Sequence, residues 1–328
     1  MKQYTIYEIA KLANVSPSTV SRVAADRPNV SEKTRARVQR IINECHYMPN
    51  ETARSLVTQS SRMIGILISD IRLTHHAYGV YFMERELMKD GYCCLIFNTG
   101  VEEQEHIQYI QMLSQRKVEA AILIGSIYQT ESVKNAIETY LPHTPVMINN
   151  GCLDLPNVYG VISDEQNGVS DCVHLLADKG KKHIAFVMDR ETPSNLLKQQ
   201  GFEAAVAKDT APLVIKTDGT RQGAYSATRK MLEEHPETDG IVYSDDVLAT
   251  VGVHALRDLK RKIPEEVAVI GINNSFYAEL STPQLTSLDN MLYDQSLTVV
   301  RTLLDLLTGN HVNRQVMIYS EIVERETT

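Results

Sequence analysis

The sequence predicts an N-terminal all-α helix-turn-helix headpiece with a hinge helix, followed by an α/β body of two doubly wound parallel-sheet lobes. Three observations predict it. Residues 5–23 read as two short capped helices joined by a tight turn. Residues 1–62 carry ten Lys/Arg against five Asp/Glu, a basic front on a chain whose net charge is −8. From Met63 onward, short apolar runs alternate with amphipathic stretches of 10–16 residues.

The first helix starts in "TIYEIAKLANV", where Thr5 and Glu8 have the spacing of a capping box. Ile6, Ile9, Ala10 and Ala13 give it one apolar face, and Asn14-Val15 makes the turn. Ser16 caps the second helix, and Pro17 takes its first position, where a missing N–H costs nothing. Val20 and Val23 point toward the first helix, while Pro17, Ser18, Thr19, Ser21 and Arg22 face outward. Short polar side chains let a helix approach base edges, and Arg22 can meet a guanine with two parallel hydrogen bonds, worth ~1–3 kcal/mol of discrimination.

Ser31 caps a third helix whose inner stripe is Val38, Ile41, Ile42 and Cys45. Lys33, Arg35, Arg37 and Arg40 lie toward the outer side, where they could hold phosphates. Pro49 ends the next element, and Asn50 can cap a helix of two turns over residues 51–58. Isolated helices below ~12–15 residues are marginal in water, so this one is expected to order only against a partner. Leu56 would be its wedge into a minor groove.

In the body the expected strands are "MIGILIS", "CCLIFN", "AAILIG", "PVMIN", "HIAFVMD", "LVIKT", "GIVYS" and "VAVIGI". So many βαβ units exceed one core, which implies two lobes with the break near Gly160. "QVMIYSEIVER" (315–325) reads as a final strand. Open α/β sheets bind ligands beyond the carboxyl ends of their strands. Those ends carry Ser69-Asp70, Asn98, Asn149-Asn150, Asp189, Ser244-Asp245-Asp246, Asn273-Asn274 and Asn290. Amides and carboxylates converging on one cleft suit a polyhydroxylated ligand, whose hydroxyls both donate and accept.

Other function classes find little support. No apolar run approaches the ~20 residues of a membrane span, and residues 1–20 lack the apolar core of a secretory signal. The five cysteines form no CxxC pair, which points away from a disulfide framework or zinc site and toward a reducing cytoplasm. No GxGxxG opens a helix, and there is no P-loop, HExxH or GxSxG. Neither a catalytic residue, a metal nor a cofactor is expected.

"TIYEIAKLANVSPSTVSRV", "NVSEKTRARV" and "YMPNETARSL" resemble the headpiece and hinge of the LacI/GalR family of bacterial transcription regulators, and the resemblance runs through the whole chain. It implies a homodimer on a pseudopalindromic double-stranded DNA operator, controlled by a small effector held between lobes like those of periplasmic sugar-binding proteins. By the same resemblance Pro17, Ser18 and Arg22 would meet bases. Thr5, Ser16, Ser21, Ser31, Thr34 and Asn50 would meet the backbone, and Ala53 and Leu56 the minor groove. The helix near 291–309 would cross back to the first lobe. The expected domains are a head at 1–49 and a hinge helix with linker at 50–61. The first lobe takes 62–161 with about 290–314, and the second 162–289 with about 315–328.

Effector contacts are expected from His75, Tyr78, Asn149, Arg190, Lys198, Asp245, Asn273 and Asn290. This chain departs from many sugar-responsive members, with Lys198 for an Arg, Asn273 and Asn149 for Asp, and no aromatic near 219. Losing carboxylates while keeping a cation favours an acidic or phosphorylated sugar, with His75, His76, Arg190 and Lys198 as candidate positive groups. The competing expectations are a nucleobase or a phosphocarrier protein as the signal, or a small-molecule binding protein that acts without DNA.

Overall fold

The computed structural model of the chain describes residues 4–48, 60–206 and 211–328. The expected hinge helix, with Asn50, Ala53 and Leu56, lies outside them. The chain divides into two units, Met1–Ser61 and Arg62–Thr328.

The first unit holds three helices, α1 (Ile6–Ala13), α2 (Pro17–Ala24) and α3 (Glu32–Glu44). Thr5 caps α1 through the full capping box: its hydroxyl accepts from the Glu8 N–H, and the Glu8 carboxylate accepts from the Thr5 N–H at 2.8 Å. Asn14 ends α1 in the left-handed conformation that short polar side chains tolerate. Ser16 and Ser31 cap α2 and α3, each accepting from the backbone N–H three residues on. Ile9, Ala10, Ala13, Val20, Val23, Val38, Ile41 and Ile42 close the core of this unit. Arg35 departs from expectation. It ion-pairs with Asp26 at 2.7 Å and donates to the Arg27 carbonyl, so it pins the loop between α2 and α3 rather than reaching out to phosphate.

Among the described residues of the second unit, twelve strands form two sheets of six. The elements run β1 (Met63–Ile68), α4 (Thr74–Lys89), β2 (Cys93–Asn98), α5 (Glu103–Gln115), β3 (Ala120–Ile124), α6 (Glu131–Tyr140), β4 (Val146–Asn149) and β5 (Val158–Ser163). Next come α7 (Glu165–Asp178), β6 (Ile184–Met188), α8 (Pro193–Ala205), β7 (Leu213–Lys216), α9 (Arg221–Glu234), β8 (Gly240–Tyr243) and α10 (Asp246–Asp258). The chain finishes with β9 (Ala268–Ile272), α11 (Phe276–Leu280), β10 (Thr286–Asp289), α12 (Leu292–Leu307), β11 (Gln315–Ile318) and β12 (Glu321–Val323).

One sheet has the order β11-β5-β4-β3-β1-β2 and is parallel throughout. The other has the order β12-β10-β9-β8-β6-β7 and is parallel except for β12, which runs against β10. Parallel strands need helices on both faces, and each sheet has an apolar cluster on either side to match. No described helix is long and apolar enough to cross a membrane.

Three details differ from the sequence reading. β5 ("VYGVIS") and β10 ("TSLD") are strands that no apolar run announced; β10 buries Thr286 and Ser287 through hydrogen bonds instead of apolar side chains. Gly160 lies inside β5, so the chain leaves the first lobe only after Ser163. The final strand is in fact two. Residues 315–318 pair with β5 in the first lobe, and only 321–323 join the second. The lobes are thus joined by three short crossings, after β5, β10 and β11.

Candidate functional site

Two regions carry chemistry, one in each unit. In the head, α2 buries Val20 and Val23 and turns Ser18, Ser21 and Arg22 to solvent. Ser16 Oγ lies 2.8 Å from Ser18 Oγ and 2.9 Å from Thr19 Oγ1, so the hydroxyls at the start of the helix form one cluster. Ser31 Oγ donates to Thr34 Oγ1 at 2.9 Å at the start of α3. Thr5, Ser16, Ser31 and Thr34 thus all sit at helix N-termini, whose N–H groups and dipoles favour anions.

In the body, the carboxyl ends of β1, β3, β4, β6, β8 and β9 face one another across a cavity of about 300 Å³ between the lobes. Of the expected effector residues, His75, Asn149, Arg190, Lys198, Asp245 and Asn273 line it. The rim is bridged where the Ser194 N–H donates to Ser126 Oγ across the lobes at 3.1 Å.

Tyr78 and Asn290 do not line the cavity. Tyr78 is exposed on α4, its ring 6.1 Å from Phe82, because a helix starting at Thr74 turns that position away. Asn290, 2% exposed, is consumed by the interlobe crossings. Its amide donates to Asn273 Oδ1 at 3.1 Å and Glu165 Oε1 at 3.4 Å, and its Oδ1 accepts from Ser320 at 2.9 Å. The Ser163 hydroxyl and the Gln295 amide both donate to its backbone carbonyl.

The candidate positive groups are also not free cations. His75 and His76 lie in the first turn of α4, not in a loop. Burial, then the neighbouring His76 and Lys198 charges, pushes His75 down to about 3; burial lowers His76 as well, so both rings are neutral at pH 7. Arg190 lies 3.5 Å from Asp189. Lys198 Nζ sits 3.3 Å from Glu165 Oε1, and donates to Ser244 O at 3.2 Å and Asn195 Oδ1 at 3.4 Å. Arg190 and Lys198 thus each lie beside a carboxylate, while the two imidazoles carry no charge at pH 7.

The acidic members are held in different ways. Asp245 caps α10 through the Val247 N–H at 2.6 Å and accepts from Asn273 at 3.2 Å; burial raises its pKa against the opposing Val247 bond and Lys198. Asp246 lies beneath the floor, bonded to the Ser287 hydroxyl and the Ser275 N–H, and burial pushes it up to about 7. Six polar atoms of cavity-lining residues are buried without a hydrogen-bonding partner among the described residues: Asn149 Nδ2 and Oδ1, Ser244 Oγ, Ser275 Oγ, Glu165 Oε2 and His75 Nδ1. Sequence reasoning missed Glu165, Asn195, Ser126 and Ser194. They lie on helix first turns or beyond strand ends, and Glu165 follows a strand that carried no signal of its own.

Comparison with known proteins now bears on both regions. Residues 5–50 match the family described as "Bacterial regulatory proteins, lacI family", and residues 173–328 match a "Periplasmic binding protein-like domain". An HTH-type transcriptional regulator of Lachnoclostridium phytofermentans is 33% identical over 98% of this chain and 99% of its own. The solved structure of the Lac repressor dimer bound to operator and the anti-inducer ONPF is 22% identical, with a TM-score of 0.90 over 99% of each chain. A complex of the transcriptional regulator CelR with cellobiose is 24% identical, with a TM-score of 0.72 over 99% of this chain and 100% of that one.

Proposed function

The chain belongs to the lacI family of bacterial regulatory proteins, and from that premise we infer that it is a repressor: a DNA-binding transcriptional regulator whose hold on its operator is set by a sugar bound between the lobes. It is read as a homodimer working on DNA in the cytoplasm, not as an enzyme. Two heads would read a pseudopalindrome whose symmetry mirrors the protein's. On this reading α2 enters the major groove, with Pro17, Ser18 and Arg22 toward bases. Thr5, Ser16, Ser21, Ser31 and Thr34 meet phosphates. Asn50, Ala53 and Leu56 act from the hinge.

One observation carries the effector half of the reading. Residues that line the cavity carry amide, hydroxyl, carboxylate and imidazole atoms that are buried without a hydrogen-bonding partner among the described residues. A buried polar group without a partner costs about 1–3 kcal/mol, so a ligand that supplies partners is favoured by relieving several such costs at once. Hydroxyls donate and accept, and a sugar offers them at close spacing. Leu73, Ile124, Ile127, Val247 and Leu248 add apolar walls for the carbon faces of the ring.

The DNA half is tested by selecting duplexes from a random pool with the full chain, then measuring affinity for the winner from 50 to 200 mM salt. Enrichment of a pseudopalindrome is expected, with affinity falling ~10³–10⁵-fold over that range if six to ten phosphates are contacted. Equal retention of scrambled DNA would defeat the reading.

A further inference from the structure

Glu165 follows β5 at the first interlobe crossing and opens α7. It is 2% exposed, and it faces Lys198, 5% exposed, at 3.3 Å. Its two oxygens are used differently. Oε1 holds the Lys198 ammonium and the Asn290 amide; Oε2 is buried, without a partner among the described residues, on a side chain that lines the cavity.

We infer that Glu165 sets the charge preference at the Lys198 end of the cavity: it cancels Lys198 and places a second, unpartnered carboxylate oxygen beside the lining, so that end takes an uncharged hydroxyl donor and rejects carboxylates and phosphates. This rests on reading the cleft as the effector site. A buried charge tolerates its surroundings only when paired, and Lys198 already has its pair. An anion reaching for Lys198 would have to settle beside Glu165 Oε2, a like charge in a cavity where water does little screening. A hydroxyl meets no such conflict, since it can donate to a carboxylate oxygen and accept from an amide or another hydroxyl. His75 adds no compensating charge, because its burial keeps the ring neutral.

The test uses the full chain and inorganic phosphate, with thermal melting and calorimetry read at matched ionic strength. The quantity of interest is the part of phosphate binding that Lys198→Met removes, which sets aside phosphate held elsewhere. In the unsubstituted protein that part should be nil. Glu165→Gln should gain it, binding phosphate about tenfold more tightly or better, because the amide keeps the shape and leaves Lys198 uncompensated. Adding Lys198→Met to Glu165→Gln should erase the gain. Lys198-dependent phosphate binding by the unsubstituted protein would overturn the inference, as would a folded Glu165→Gln variant that gains nothing. If Glu165→Gln does not fold, the unsubstituted protein and Lys198→Met decide the matter by themselves. If the phosphate results come out as expected but no sugar moves the melt, charge selection by Glu165 stands and the sugar reading of the cleft falls.

Discussion

Ser320 Oγ lies 2.9 Å from the side-chain oxygen of Asn290, tying the third interlobe crossing to the second. The same amide reaches Glu165 at the first crossing, so one side chain touches all three. The family resemblance suggests a ligand contact at this position; the geometry makes it a clasp among the three interlobe crossings. Asn290→Ala should therefore lower the melting temperature of the full chain, since it strips partners from Ser320, Asn273 and Glu165 at about 1–3 kcal/mol for each group left buried and unpaired. A direct ligand contact would instead cost ligand affinity and leave the melt unmoved. Comparing the two readouts in one variant separates the roles.

Separable roles are also expected within the head. Ser16→Ala removes the cap of α2 and should destabilise the head by about 1 kcal/mol, seen as earlier loss of helical signal on urea titration of residues 1–48 within the full chain. Arg22→Ala touches an exposed side chain and should leave that transition where it is. It should instead cost about 1–3 kcal/mol of operator affinity and relax preference at one base pair of each half-site. A drop in affinity that is equal on operator and on random DNA would reduce Arg22 to a phosphate contact.

Gly201 sits where α8 crosses α7, and a β-carbon there would lie 2.0 Å from the Gln166 carbonyl oxygen. Backbone gives way far less readily than a side chain, so Gly201→Ala should force the two helices apart. A loss of about 1–3 kcal/mol is expected from such overpacking. Gln166 adjoins Glu165, so ligand affinity should fall with stability. Unaltered melting in Gly201→Ala would contradict the close approach.

The head was the most legible part of the sequence, because caps, turn and apolar stripe are local and each names its own position. Thr5, Asn14, Ser16 and Ser31 perform the tasks their spacing implies. The alternation of apolar runs likewise gave two parallel sheets, since a strand buried on both faces must be nearly all apolar. β10 escaped because two of its three buried residues are Thr286 and Ser287, which bond to Thr327 and Asp246, and no periodicity reveals such pairing. The cavity was half legible. Strand ends pointed to Asn149, Asp245 and Asn273, but whether Lys198 offers a charge depends on Glu165, thirty-three residues away and brought to it only by the packing of α7 on α8.

The neutral state of His75 gives a pH dependence of definite sign. Burial depresses the folded-state pKa to about 3 from an ordinary value of 6.5. The unfolded chain thus binds a proton in that window and the folded chain does not. The stability conferred by the neutral ring is present above pH 6.5 and is lost as pH falls toward 3. The melting-temperature advantage of the unsubstituted protein over His75→Gln should shrink between pH 7.5 and pH 4.5. An advantage that stays constant would mean that His75 titrates normally in the folded protein.

The most direct test of the whole account is operator affinity measured with and without a saturating neutral sugar, the sugar being taken from a thermal-shift screen of neutral sugars, sugar acids and sugar phosphates. A ligand can move the lobes only through unequal affinity for their two arrangements, and couplings of this kind typically reach about 5–150-fold. The account predicts that a neutral sugar raises the melting temperature and weakens operator binding by a factor in that range. A sugar that binds the cleft while leaving operator affinity unchanged would contradict it.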